Sequence, residues 1–281
     1  MRIAGKIILG VLCVVLAVFL GILIWFYSSF TGAFENAVEM EGLTSYSGGR
    51  QNVLIVGVDR SGRLADVIMI ASFPEEEGPI HLMSVQRDTL VNIDGRTVKI
   101  NSIMGYGDEK TVQKVQEVTG VPIHDYAKVN FEAVASVVDA MGGVDFDVPQ
   151  DMDYEDPAQD LYIHLKAGYQ HLNGQQALQL LRFRGYPMAD IERTKVQRSF
   201  LQAMLEQKNS WTTLFDFPEI TDVLGDNMTS TIDSDEAMDY AKKVLNSDGV
   251  QSHEMPYTLV GNGSLYLNEA EMQDLADTYF R

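Results

Sequence analysis

The chain has 281 residues, 46% of them hydrophobic and 9% aromatic, which is enough to bury a core and excludes general disorder. Forty acids against 21 lysines and arginines give a formal charge of −19, which argues against nucleic acid as a partner. A single cysteine, Cys13, excludes an intramolecular disulfide and a multi-cysteine metal site.

Residues 1–6 carry Arg2 and Lys6 and precede "IILGVLCVVLAVFLGILIWFY", residues 7–27, which holds no charge. A helix of about 20 apolar residues spans a bilayer core. Trp25 and Tyr27, at the end of the run, are of the types that favour a membrane interface. No acid occurs before Glu35. The positive-inside rule then predicts a cytoplasmic N-terminus at 1–6, a transmembrane helix over 7–27 and an extracellular remainder, a single-pass protein of the cell membrane. The competing reading is a cleaved signal peptide, whose apolar region is shorter and is followed by small residues. Cys13 follows Leu12, where a lipidated cysteine expects a small residue, so it reads as an ordinary member of the span.

Residues 28–50 read as a stalk or connecting helix ending at Gly48–Gly49, and residues 51–281 as one extracellular domain with its core at 51–210. "NVLIVGV", "VIMIASF" and "IHLMSVQ" predict three buried strands, the last two separated by the polar turn "PEEEGP". "DEKTVQKVQEVTG" predicts a helix closed by Gly120, and "NFEAVASVVDAMGG" a second one ended by glycine. "VDFDV" alternates as a strand, and "QDMDYEDPAQD", with five acids and a proline, predicts an exposed loop. "GQQALQLLRFRG" predicts a helix running into a short extended segment, and "DIERTKVQRSFLQAMLEQ" a long helix. Residues 211–281 read as smaller elements completing the same domain. The class is α/β, with a mixed central sheet flanked by helices.

Two constellations carry chemistry. If the first three strands pair antiparallel with their neighbours, the 59–66 loop and the end of the third strand meet at one end of the sheet. Asp59, Asp66, Arg87 and Asp88 then converge. Two carboxylates suit a hard divalent cation such as Mg²⁺, which takes one or two carboxylates, waters and substrate phosphates. The arginines suit phosphate oxygens. A solvated loop with surface ion pairs is the plainer alternative. The second constellation packs five cations, Arg182, Arg184, Arg193, Lys195 and Arg198, into residues 182–198. In an extended segment Arg182 and Arg184 share one face, with Phe183 opposite. On the helix that follows, Asp190, Arg193 and Gln197 share a face that Phe200, Leu201 and Met204 continue, while Lys195 and Arg198 point away. A face that starts polar and turns apolar looks inward, to a site above a core or cavity; a helix with a charged outer face is the alternative. The five histidines show no metal spacing, and no phosphate-loop, nucleophile-elbow or zinc motif occurs.

In order along the chain, "LIVGVDR", "ADVIMIASF", "MSVQRDTLV", "KINSIMGYG", "VNFEAVASVVDAMGGVDFDVP", "AGYQHLNGQQALQLLRFRG" and "DIERTKVQR" resemble the LytR-CpsA-Psr family of cell-wall enzymes. The resemblance implies transfer of a phosphate-linked glycopolymer, of teichoic acid or capsule type, from a polyprenyl pyrophosphate carrier to peptidoglycan outside the membrane. It implies a lipid tail in a hydrophobic cavity between sheet and helices, and a pyrophosphate held by Mg²⁺ and arginines. Carried over by motif, Asp59 and Asp66 match the metal-associated acids. Arg87, Arg182, Arg184, Arg193 and Gln197 match the pyrophosphate-binding set, to which Arg63 and Lys99 are added. Arg87, Asp190 and Asp88 are the candidate catalytic residues, the two acids as possible bases. Leu64, Gln86, Leu90 and Val196 depart from the family pattern, three of them where a cation is common. Arg60, Arg63 and Lys195 stand nearby as substitutes. The departures motivate two rival functions: a non-catalytic polyprenyl-phosphate-binding or wall-assembly regulatory module, and a polyprenyl pyrophosphate hydrolase.

Overall fold

An eight-residue run rich in β-branched side chains, Gln51–Val58, forms the central strand β1. β2 (Ala65–Phe73) and β3 (Ile80–Ser84) follow, and the three pair antiparallel in chain order. The computed structural model describes residues 37–58, 62–157, 161–186, 190–207, 227–259 and 265–281. The proposed transmembrane helix and the start of the stalk therefore lie outside the described residues. Among the described residues no helix is long and apolar enough to cross a membrane.

A short hairpin of β4 (Leu90–Ile93) and β5 (Arg96–Lys99) leads through a 3₁₀ turn to helix α1 (Asp108–Thr119). α1 ends at Gly120, whose φ of 66° is left-handed, as a helix C-cap requires. β6 (Asp125–Asn130) then pairs parallel to β1 and runs directly into α2 (Phe131–Ala140), capped by the Asn130 side chain on the Ala133 amide. Next come β7 (Val144–Val148), β8 (Met152–Asp156), β9 (Leu161–Leu165) and β10 (Gly168–Leu172). They pair as β7 with β10 and β8 with β9. Helices α3 (Gly174–Arg182) and α4 (Asp190–Glu206) follow. The chain closes with β11 (Met228–Ser230), α5 (Ser234–Asn246), β12 (Val250–Glu254), β13 (Tyr257–Leu259), β14 (Leu265–Leu267) and α6 (Glu269–Tyr279).

The main sheet has the order β11-β6-β1-β2-β3-β12 and mixes parallel with antiparallel pairs. Its two edge strands come from residues 228–254, so the C-terminal part completes the sheet. Side chains alternate across β1. Leu54, Val56 and Val58 enter a core covered by α1 and α6. Val53 and Ile55 face the opposite side, where α4 and α5 bring Leu201, Leu205, Tyr240 and Val244. A third cluster fills the space between α2, α3, the later turns of α4 and strands β7–β10.

The structure departs from the sequence reading at two places. Residues 37–50 form no helix; they lie along the domain, with the Val38 and Thr44 amides donating to Ser230 and Ile123 at 2.8 and 2.7 Å. The acidic segment read as a loop contains β8, because Met152 and Tyr154 alternate with acids, and period-2 alternation outweighs net charge when one face has a core to join. Arg198 points away from the site face of α4, as expected, and is 7% exposed there, with Glu254 and Tyr257 nearby.

Candidate functional site

The site begins where β2 begins. Asp66, 6% exposed, is the second residue of β2. β3 returns antiparallel to the same end, and its pairing continues past Ser84, with the Val85 amide donating to Ile68 at 2.8 Å. Arg87 is therefore delivered to Asp66: its Nη1 donates to Asp66 Oδ1 at 2.5 Å. The convergence expected from connectivity alone holds for this pair. The β1–β2 register shifts at Gly57–Val58, a bulge at the mouth of the site.

The arginine segment closes from the other side. Arg182 is the last residue of α3, and Phe183 turns the chain to an extended conformation (φ −64°, ψ 134°). Phe183 is buried in the core, while Arg182 and Arg184 both line a cavity. Arg184 Nη2 stands 3.5 Å from Asp66 Oδ1, and Arg193 Nη2 stands 4.0 Å from it. Asp190, one turn before Arg193 on α4, lies 2.8 Å from Arg193 Nη2 and 3.9 Å from Arg87 Nε. One buried carboxylate thus gathers three guanidinium groups, and a second steadies two of them.

Electrostatics make this an anion site. Arg193 is 2% exposed, and burial pulls its pKa down before Asp190 pulls it back up. Its Nε has no hydrogen-bond partner, and its contact with Asp190, though short, does not align as a hydrogen bond. A buried donor without a partner costs about 1–3 kcal/mol, more when charged. Arg87 Nε is likewise buried, with no hydrogen-bond partner among the described residues. These donors are aimed and desolvated before any ligand arrives. Among the described residues Arg182, Arg184 and Arg193 line the cavity with Asp66 and Glu132, while Arg87 and Asp190 stand behind that wall as ion-pair partners of Asp66 and Arg193.

The cavity holds about 110 Å³ of space for water centres. It adjoins a second, apolar one of about 80 Å³ between the sheet and α2 and α4. Phe131, Leu181 and Gln197 line both. Gln197 Nε2 donates to the Leu181 carbonyl at 3.0 Å, while its Oε1 is buried without a partner. Beyond it, Phe200, Leu201 and Met204 line the apolar cavity, as the helix face predicted. Gly57 belongs to the same wall; a Cβ there would sit 2.9 Å from Val67 Cβ.

The remaining candidates fall elsewhere. Asp59 and Arg60 lie outside the described residues. Arg63 and Lys195 are exposed and do not line the cavity. Asp88 pairs with Lys99 at 2.9 Å, on the hairpin side, so neither joins the cavity wall. Leu90 lines a separate groove beside α1 and α6, and Val196 packs into the α2–α3 core. Among the wall residues not named as candidates, two carry polar groups. Glu132 lies on α2, next to Phe131, and Tyr154 lies on β8. The alternation in "MDYED" is the signal that would have found Tyr154. Among the described residues no group of three or more acids, histidines or cysteines converges as a metal cage.

The chain is 32% identical over 196 residues to a protein of Oceanobacillus iheyensis named polyisoprenyl-teichoic acid–peptidoglycan teichoic acid transferase TagU, covering 66% of this chain and 59% of that one. It is 28% identical over 194 residues to the Bacillus subtilis transferase TagV, covering 64% of this chain and 49% of that one. The chain thus matches only part of the length of these curated relatives. The crystal structure of B. subtilis TagV superposes with a TM-score of 0.68 at 22% identity, over 83% of this chain and 97% of that one, a likeness of fold. A structure described as TagT bound to LI-WTA also gives 0.68, at 21% identity over 86% and 97% of the two chains. A model of the LytR_cpsA_psr family matches residues 29–279, and the chain belongs to that family.

Proposed function

We propose that this protein transfers a phosphate-linked glycopolymer from a polyprenyl pyrophosphate carrier to a hydroxyl of peptidoglycan. One observation carries the reading: an arginine-lined polar cavity adjoins an apolar cavity, the two sharing Phe131, Leu181 and Gln197. A ligand with a charged head and an apolar tail suits that pair of surfaces. The names of the relatives support the same substrate class, with teichoic acid as the polymer.

In this reading Arg87, Arg182, Arg184 and Arg193 hold the pyrophosphate oxygens. Bidentate, charge-assisted hydrogen bonds fix its orientation and stabilise the charge that builds on the leaving group. The acceptor hydroxyl oxygen attacks the phosphorus bearing the glycan. The bond from that phosphorus to the bridging oxygen breaks, and polyprenyl phosphate leaves with the electron pair. The acceptor's proton passes to a carboxylate. Asp190, whose side chain is one-third exposed beside two arginines, is our candidate for that base, since Asp88 is held by Lys99.

Mg²⁺ fits the donor set in one specific way. The ion takes one or two carboxylates and completes its shell with water and substrate phosphate. Asp66, in the wall among the arginines, is one such carboxylate, and Asp59 would be the second. Bound there, Mg²⁺ would neutralise pyrophosphate charge. We further propose that residues 7–27 anchor the protein in the cell membrane with residues 1–6 cytoplasmic, which places the lipid-binding domain on the outer side, beside its lipid and the wall.

The test incubates the full chain in detergent micelles with a pyrophosphate-linked glycolipid, with and without peptidoglycan and Mg²⁺. Attachment of glycan phosphate to peptidoglycan with release of polyprenyl phosphate is expected. Lipid binding without turnover would replace the transferase by a binding module. Release without attachment would make the protein a hydrolase.

A further inference from the structure

β8 and β9 pair with Met152 opposite Leu165, Tyr154 opposite Ile163 and Asp156 opposite Leu161, so these six side chains share one face of the hairpin. Met152, Ile163, Leu165 and Leu161 on that face are at most 8% exposed. Tyr154, in the same row, is 45% exposed. The inner face of the hairpin therefore runs past the edge of the core and presents an aromatic ring to the arginine-lined cavity, whose wall includes both Tyr154 and Leu161. Glu132, in the first turn of α2, belongs to the same wall.

Glu132 adds negative charge to a wall that would face phosphates, and Tyr154 is an exposed ring set in the charged cavity rather than in the apolar one that would take the tail. The tail also has its own exit, past Phe131, Leu181 and Gln197 into the apolar cavity. A sugar ring is different: it offers an apolar face of C–H groups to an aromatic ring and hydroxyl donors to a carboxylate. In the donor lipid the first sugar is bonded to the pyrophosphate, so it must lie beside the arginines, in this cavity.

We propose that Tyr154 is the stacking surface for the first sugar of the pyrophosphate-linked donor, with Glu132 accepting hydrogen bonds from its polar groups. The proposal rests on the donor class given above and assigns its glycan end. Tyr162 provides an internal comparison. It is also 45% exposed, but it stands opposite Glu155 on the hairpin's other face and does not line the cavity.

The experiment titrates the full chain in detergent micelles with a short-chain polyprenyl pyrophosphate, and with the same lipid carrying one N-acetylhexosamine, in the absence of any acceptor. Wild type, Tyr154→Phe and Tyr162→Ala should bind the sugar-bearing lipid about three- to tenfold more tightly than the bare one, the range expected of one aromatic contact. Tyr154→Ala should lose that preference and keep its affinity for the bare lipid, which also shows that it folds. The proposal is overturned if wild type shows no preference, if Tyr154→Ala retains the preference, or if it weakens both lipids equally. Failure of wild type to bind either lipid would overturn the donor class itself and the proposal with it.

Discussion

Replacing Asp66 by asparagine removes the one charge that faces Arg87, Arg184 and Arg193 together while keeping the shape of the side chain. Two charges about 4 Å apart attract by about 4 kcal/mol at an effective dielectric of about 20. Desolvation of a carboxylate only 6% exposed offsets much of that, and Arg184, at 62% side-chain exposure, contributes little through solvent. Removing one partner of a buried ion pair typically costs about 3–5 kcal/mol, because the cations left behind lose their compensation. We take the lower end, about 3 kcal/mol, since Arg87 and Arg193 keep Asp190. For a domain of this size that lowers the melting temperature by about 6–12 °C. Melting curves of wild type and Asp66→Asn in EDTA measure the loss. Added inorganic pyrophosphate should then stabilise the variant by more degrees than wild type, since its arginines lack a resident anion. Equal melting temperatures in EDTA would refute the idea that Asp66 holds the arginine cluster together.

Arg193→Met should leave stability within about 1 kcal/mol of wild type, because the desolvation of its buried guanidinium offsets most of its attraction to Asp190 and Asp66, which both keep Arg87, yet weaken polyprenyl pyrophosphate binding by about ten- to a hundredfold. Calorimetric melts paired with lipid titration separate the two effects. Phe200→Ala should cost about 3–5 kcal/mol in urea unfolding, since Phe200 is 1% exposed and meets Phe146 edge-on at 5.4 Å. His81 and His253 touch at 2.9 Å, and burial, reinforced by Arg50, holds both neutral, with His81 lowered to about 4. The unfolded chain binds protons that the folded one refuses, so their contribution is complete above about pH 6.5 and is lost as pH falls from there towards 4. Urea midpoints at pH 7 and pH 4.5 should differ more in wild type than in His81→Leu/His253→Leu.

The site was legible wherever chain connectivity dictated it. Three consecutive buried strands leave little choice but an antiparallel meander, and that alone brings Arg87 to Asp66. The polar-to-apolar face of α4 was equally visible, because helical spacing places Asp190, Arg193, Gln197, Phe200 and Met204 in one row. What the sequence hid depended on partners distant along the chain. Helical spacing turned Arg198 away from the site, but its burial at 7% exposure depends on Glu254 and Tyr257, far along the chain. Asp88 and Lys99 looked like site residues because of their motifs, but the β4–β5 hairpin between them joins them to each other. The acids of residues 151–156 masked a period-2 pattern whose meaning came only from β9, and with it the role of Tyr154.

Helix α4 is polarised along its axis rather than around it. Its first turns carry Asp190 and Arg193, its middle carries Gln197 at the seam of the two cavities, and its later turns carry Phe200 and Met204. For the donor proposed above, Gln197 would act as a waterline on a measuring rod. Such an amphiphile would be gauged from its head, with the charged end stopped about one turn, or about 5 Å, above that mark. Tail length beyond the apolar cavity does not enter the measurement. The reacting phosphorus would therefore sit at the same place for carriers of different chain length, and selection among donors falls to whatever extends on the other side of the phosphates.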